Sequence, residues 1–524
     1  MQGRSERQRQ LGDVEAWAGH LLRPGSVFAF LAAHRLELFP DALFADLFPS
    51  GRGRPSVPAD VVATVLVLQA LHGLSDREAA DTVTFDLRWK GAAGLPLEAA
   101  SFHPTTLTYW RRRLAASHWP NRIFEVVRQV VADTGVLHGR TRRALDSTVL
   151  DDAVATQDTV TQLVAAIRRV RRDVPEAAAL IAAECRAHDY DNPGKPAIAW
   201  DDEAARAALV DALVTDARQL LAGLGEQDRD AKQAEAVALL ALVAGQDVEW
   251  IADPAVPGGG CWRIARRVAP DRVISVVDPE SRHAHKTTSR RQDGFKAHVV
   301  VEPDTGVITG CAVTKASGEG SADGTVGAEL LAGDVTLSDA GDVGPVQVLG
   351  DSAYGTGEML AALAVAGHEP LVKPWPVQAA VPGGFTVDDF IVDQAAGTVT
   401  CPAKLTRRIN RDGQVNFGAT CRDCSLRPRC TRSATGKSMR IREHDALARA
   451  HRARAADPEW QAAYRQHRPM VERSIAWLTR GNRRLSYRGT AKNNAWLHLR
   501  AGAVNLRRLV NLGLYHAQGA WAIA

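Results

Sequence analysis

Apolar residues recur at helical spacing through much of the first 135 residues, most densely in Val61-Val62-Ala63-Thr64-Val65-Leu66-Val67-Leu68, and predict a helical region over 11–135. Gly73 and the capping-box tetrad Ser75-Asp76-Arg77-Glu78 mark the end of one helix near His72 and the start of the next. A further helix is expected over 105–114, carrying Tyr109, Trp110 and the run Arg111, Arg112, Arg113. Two helices with a glycine in the turn fit a helix-turn-helix unit and equally an ordinary helical pair.

From Arg143 the pattern shortens and becomes β-prone, and Ala144-Leu145-Asp146-Ser147-Thr148-Val149-Leu150 reads as a buried strand with a carboxylate in its middle. Helical periodicity returns over 158–250, notably at 211–224 and 231–243, and the length is that of a helical insertion rather than a loop. Strands are expected again at 273–277, at 296–302 and 307–314 on either side of the turn Pro303-Asp304-Thr305-Gly306, and at 346–349. A helix over 358–366 stopped by Gly367 and a strand over 368–372 complete a mixed α/β sheet that the helical block interrupts. Residues 376–456 hold short β-prone pieces, clustered cysteines and many arginines. Asp457-Pro458 then opens helices that run to the C-terminus, with Pro469 restarting or kinking one of them.

At 524 residues, 45% hydrophobic and 24% charged, the chain has the balance of a globular protein of two to four packed units. No apolar run approaches the ~18 residues of a membrane span, and the first residues lack a secretory apolar block, so a cytoplasmic, nucleoid-associated protein with no membrane partner is expected. The net charge of +4 hides an asymmetry: residues 401–524 carry 25 Lys and Arg against 7 Asp and Glu, whereas residues 151–250 carry 10 against 19. A C-terminal quarter of that sign suits a polyanion, and the acidic block would point away from it or cover it.

Three acids could carry chemistry. Asp146 and Asp351 sit in or at the end of apolar strands, where an unpaired carboxylate is costly and where α/β sheets place ligands. Glu472 lies on a helix at the border of the stripe Val471, Ile475, Leu478, four residues after Arg468 and ahead of Arg480, Arg483, Arg484 and Arg488. Carboxylates from separate elements suit magnesium or manganese, and two such ions support phosphodiester cleavage. Taken singly, each acid also has an ordinary reading: a turn cap for Asp146, a helix cap for Asp351, a surface ion pair for Glu472. Asp151, Asp152, Asp278 and Asp323 are secondary, Asp323 as a cap for a helix near Thr325, while Lys296 and His298 either reach phosphate or simply alternate on a half-buried strand.

Ala144-Leu-Asp-Ser-Thr, Val348-Leu-Gly-Asp-Ser-Ala-Tyr-Gly and Arg468-Pro-Met-Val-Glu-Arg-Ser-Ile-Ala-Trp-Leu, supported by Gly294-Phe-Lys-Ala-His and Tyr487-Arg-Gly, resemble a bacterial insertion-sequence transposase of the DDE class. The resemblance implies a ribonuclease H-like mixed sheet formed by 136–157, 273–375 and 457–524, a helical N-terminal DNA-binding domain over 1–135, a mostly helical insertion over 158–272 and a basic Cys-rich insertion over 376–456. It implies Asp146, Asp351 and Glu472 as the catalytic triad holding Mg2+ or Mn2+, with Arg468 as the flanking base. Relatives often carry Lys seven residues after the Glu and Tyr seven before it. Here Thr479 and Arg465 hold those places, with Arg480 and Tyr464 one residue away.

The implied reaction is cleavage at element ends and joining of 3′-hydroxyls to target DNA, by a homodimer on double-stranded DNA. A nuclease that does not join strands and an inactive DNA-binding relative are the alternatives. Expected DNA contacts are Arg111, Arg112, Arg113, Lys296, Arg468, Arg480, Arg483, Arg484 and Arg488. Cys401, Cys421, Cys424 and Cys430 are enough thiolates for a structural zinc, with unligated thiols as the alternative, while Cys185, Cys261 and Cys311 read as single packed thiols.

Overall fold

The computed structural model describes the chain except residues 6–11, 257–258, 268, 270, 286–290, 339–344 and 481–482. Its N-terminal part is helical: α1 (Val27–Leu38), α2 (Ala59–His72), α3 (Asp76–Phe85), α4 (Thr105–Ala116) and α5 (Arg122–Asp133). Helix α2 is apolar on every side and is buried from Ala59 to Leu71, so it forms the axis of this core rather than a surface element. Its one buried acid, Asp60, is met by Arg35 at 3.1 Å and by the Ser5 hydroxyl at 2.7 Å. Gly73 takes the left-handed conformation (φ 68°) that ends α2, and both bonds of the Ser75–Glu78 capping box open α3 at 112° to it. Among the described residues no single helix is long and apolar enough to cross a membrane.

Strand β1 (Arg142–Asp151) leads into the insertion, whose helices α6 (Thr159–Asp173), α7 (Glu203–Leu224) and α8 (Ala231–Gln246) pack around Leu163, Ile167, Leu213, Leu220 and Leu240 as a core of their own. A hairpin of β2 (Val248–Ala252) and β3 (Gly260–Ile264) follows, with Trp250 edge-on to Trp262. The expected strand at 273–277 does not form. Val273, Ile274 and Val276 are buried there, but their chain bonds to glutamines: Val273 N–H donates to Gln246 Oε1 and Val276 N–H to Gln157 Oε1, leaving no ladder to join.

The main sheet comprises β1, β4 (Arg282–His285), β5 (Arg291–Val301), β6 (Ile308–Lys315), β7 (Gln347–Gly350) and β8 (Glu369–Val372). Its path is β4-β5-β1-β7-β8, with β6 on the other side of β5. The pairings of β5 with β1, β4 and β6 are antiparallel, whereas β1, β7 and β8 run parallel. The Pro303–Gly306 turn joins β5 to β6 as the sequence suggests, closed by the Glu302 N–H on Val307 O. On one face Leu145, Val300 and Val348 pack against α9 (Asp323–Ala332) and α10 (Gly357–Val365).

Residues 376–456 form a small lobe of short strands, β9 (Ile391–Asp393), β10 (Thr398–Thr400), β11 (Thr406–Arg408), β12 (Gln414–Asn416) and β13 (Ser438–Arg440), closed by α11 (Asp445–Ala455). The chain then returns through α12 (Pro458–His467), α13 (Pro469–Thr479) and α14 (Thr490–Asn511). Pro469 restarts the helix: Arg468 is helical (φ −59°, ψ −39°), so side-chain spacing carries across the break. Val471, Ile475 and Leu478 of α13 pack with Ala144, Phe295 and Leu349 on the second face of the sheet. Helix α14 joins two cores, giving Leu497, Ala501 and Val504 to the sheet and Ala503, Leu506 and Leu509 to the N-terminal helices.

Candidate active site

Parallel pairing sets Ala144 of β1 against Leu349 of β7, and both side chains lie in the core under α13. Two residues beyond this pair come Asp146, still in β1, and Asp351, just past the end of β7, near enough for the Asp351 charge to act on Asp146. Asp351 is still extended (φ −75°, ψ −174°) and accepts from the Ala353 N–H at 2.9 Å, which caps a short turn (Ser352–Tyr354) rather than the helix at Glu358. Glu472 comes from the first turn of α13, which packs on this face of the sheet. Its side chain is 67% exposed, against 13% for Asp146.

Arg468 stands between them. Its Nη2 is 3.0 Å from Asp146 Oδ1 and its Nε is 4.0 Å from Glu472 Oε1, while Nη1 donates to Leu145 O. Burial pushes the Asp146 carboxyl above its ordinary range; Arg468 and the Ser147 N–H pull it back, and the neighbouring Asp351 pushes it up again. Tyr464, one turn before Arg468, lies near enough to feel Arg468, Asp351, Asp146 and Glu472, and burial raises its phenol. The sequence alone offset this tyrosine by one residue. Helical geometry at Arg468 carries it back over the acids.

Asp146, Asp351 and Glu472 carry hard oxygen donors of the kind a divalent cation takes. Among the described residues no three His, Cys, Asp or Glu side chains stand at metal-holding separations, and here the Arg468 guanidinium lies between Asp146 and the outward-pointing Glu472.

Residues 399–510 match the family model described as a transposase DDE domain, and residues 20–113 match one described as a transposase domain (DUF772). Together the two matches support an insertion-sequence transposase of the DDE class. No curated protein and no solved structure matches it. The first match contains Glu472 and the four clustered cysteines; Asp146 and Asp351 lie outside both.

Several arginines expected at DNA serve the chain's own packing. Arg480, in the left-handed conformation that ends α13, donates to Leu71 O at 2.6 Å, and the buried Arg500 donates to Ala70 O and Leu478 O. These are the free carbonyls at the C-terminal end of α2 and near that of α13, so the two cations dock the N-terminal helices onto α14. Burial, with Arg480 and Arg507 adding repulsion, pushes Arg500 down to about 10. Arg111 pairs with Asp76 and lies 5.8 Å from the Tyr487 ring centre; Arg113 donates to Leu47 O at 2.7 Å over Phe48. Arg112 is exposed on α4.

Beyond α13, Asp151 exchanges backbone bonds with Arg483 and Leu485, so that segment lies along the end of β1, where Arg484 reaches Ala153 O at 3.5 Å and Arg488 faces solvent. Lys296 sits 3.3 Å from Asp323 Oδ2, and His298 Nδ1 is 3.4 Å from Asp323 Oδ1. Asp323 therefore gathers these two side chains under Tyr354 and does not cap its helix, whose N-cap position Ala322 makes no side-chain bond. Burial holds His298 below its ordinary value.

Cys401, Cys421, Cys424 and Cys430 line one cavity of about 20 Å³ in the small lobe. Of the remaining cysteines, Cys185 and Cys311 are buried as expected, but Cys261 is exposed on β3, next to Trp262, which packs on the insertion's core.

Proposed function

We propose that this transposase cuts DNA at the ends of its element and joins the freed 3′-hydroxyls to target DNA, with Asp146, Asp351 and Glu472 as its catalytic carboxylates on a ribonuclease H-like sheet. The observation that supports the reading is the parallel pairing of β1 and β7, which ends two residues before Asp146 and Asp351, whose charges interact, beside the helix that carries Glu472. The strand order, one antiparallel hairpin beside three parallel strands, supports the ribonuclease H-like reading.

The three carboxylates would hold Mg2+ or Mn2+, which supplies charge neutralisation at the phosphate and lowers the pKa of an attacking water or hydroxyl. Asp146, raised by burial, must ionise before it can serve as a ligand, and Arg468 favours that ionisation. Its donors also fix the carboxylate rotamer by holding Leu145 O and Asp146 together. Glu472, exposed on the first turn of α13, is free to swing toward the pair. The exposed Arg112 and Arg488, with Arg483 and Arg484 along the end of β1, offer charge to the DNA backbone. DNA ends act in pairs in such a reaction, so a homodimer on double-stranded DNA is the assembly proposed.

The test is a labelled element end incubated with supercoiled plasmid and Mn2+. Joined product is expected, and Asp351→Asn should lose it by at least about a hundredfold with the circular dichroism spectrum unchanged. Hydrolysis without any joined product would replace this reading with that of a nuclease. Cleavage by Asp351→Asn at the wild-type rate would remove the triad.

A further inference from the structure

The lobe of residues 376–456 is poorly provided for as a packed unit. Its strands β9 to β13 are three residues each, and its core consists of Phe390, Val399, Val415, Phe417 and Ile441. A core of that size does not order about eighty residues without a staple, and in small lobes the staple is a disulfide or a metal. The apolar residues nearest this core include Cys401, Cys421 and Cys430.

The four cysteines arrive from different directions at one place. Cys401 follows β10 directly and sits in the tight turn to β11, where its N–H donates to Leu405 O and its carbonyl accepts from Lys404, a residue forced to φ 61°. Cys421 ends one short helical turn (Gly418–Cys421), Cys424 follows three residues later, and Cys430 ends another turn (Arg427–Cys430). All four line the same cavity, which is otherwise walled largely by apolar side chains such as Phe385, Phe390 and Phe417. The Lys437 N–H donates to Cys421 Sγ at 3.5 Å, the kind of outer contact that orients a thiolate ligand and steadies its charge. All four are free thiols.

We propose that Cys401, Cys421, Cys424 and Cys430 bind one structural zinc ion that orders this lobe and the arginines it carries. Four thiolates close a tetrahedron and leave no open position, so the ion is structural and takes no part in cleavage. The sulfurs do not stand at ion-holding separations as placed. Each hangs on a single rotatable bond, so rotation about Cα–Cβ moves each sulfur within the cavity that all four share. Binding displaces the thiol protons into solvent, and the folding of the lobe is thereby coupled to zinc. Arg422, Arg427 and Arg429 lie between or beside the ligands, so the ion would fix the spacing of a basic surface next to α11.

Metal analysis of the purified full-length chain should find one zinc per chain, and Asp351→Asn should retain it, which separates this site from the proposed catalytic one. In the native protein a thiol reagent should modify the exposed Cys261 quickly and spare the four clustered cysteines, and a strong chelator should release the zinc and make five thiols reactive instead of one. Cys424→Ser should lose the metal; if that variant aggregates, the titration of the unmodified chain decides the matter alone. Zinc below about 0.1 per folded chain with the four thiols reacting as fast as Cys261, disulfides among them, or iron in place of zinc would overturn the proposal.

Discussion

A carboxylate inside a strand resists ionisation unless a positive group stands beside it, and at Asp146 that group is Arg468. Burial keeps the Asp146 carboxyl raised in spite of the guanidinium, so a cation that needs the anion is lost as pH falls through that raised value. Removing Arg468 takes away the largest influence holding the carboxyl down. In Arg468→Gln the acid limb of Mn2+ binding should therefore move to higher pH, read by titrating the ion against the protein at a series of pH values so that loss of cleavage does not obscure it. An unshifted limb would mean that Arg468 does not govern this ionisation. That Asp146 is buried within a strand was legible in the sequence, because an apolar strand makes a carboxylate conspicuous. The arginines were not: a guanidinium in a basic segment reads as a phosphate contact, whereas Arg480 and Arg113 donate to backbone carbonyls at 2.6 and 2.7 Å, from partners hundreds or tens of residues away. Lys296 likewise meets Asp323, a partner that only the β5 to α9 packing supplies.

Between elements the decisive contact is the end of α2 against α13 and α14. The last carbonyls of a buried helix need donors, and Ala70 and Leu71 receive them from Arg500 and Arg480. Arg500→Met keeps most of the apolar stem and removes the donors, so it should destabilise the chain by at least about 2 kcal/mol, seen as a lower denaturant midpoint with an unchanged slope. No loss of stability would show that water satisfies these carbonyls instead. The segment between α13 and α14 is expected to behave differently, since Arg488 there faces solvent. Arg488→Ala should weaken DNA binding alike for all sequences and reduce the slope of log affinity against log salt by about 1, with stability unchanged; an unaltered slope would take Arg488 off the DNA. Most elements were visible as periodicity, because helices such as α2 and strands such as β1 bury a continuous or regular face. Residues 273–277 were not, because β-prone side chains say nothing of whether a strand will be adjacent, and Gln157 and Gln246 took the backbone donors. The hairpin β2–β3 was hidden within a segment whose neighbours are strongly helical.

For the whole molecule, charge and connectivity point to the same division. The helices α6 to α8 enclose their own apolar core, and the chain leaves and re-enters the sheet region at neighbouring points, since the Gln157 N–H donates to Ile274 O at 2.9 Å. A unit attached through two adjacent strands of backbone can be removed without asking the rest to close a gap. Replacing residues 158–276 with a flexible linker of about four residues spans the junction and also removes Val273 and Val276, which would otherwise lose their apolar neighbours. The shortened chain should fold with cooperative thermal unfolding, because β1, β5 and β7 keep their pairings and α13 and α14 keep theirs. It should also bind DNA more tightly at low salt, since residues 158–276 carry 19 acidic and 14 basic side chains, a negative balance that repels a polyanion. That gain should shrink as salt screens the repulsion. An insoluble product would mean that the sheet depends on the insertion for its stability. Equal affinity at every salt concentration would mean instead that the acidic unit points away from the DNA, with its charge too distant to act across the Debye length.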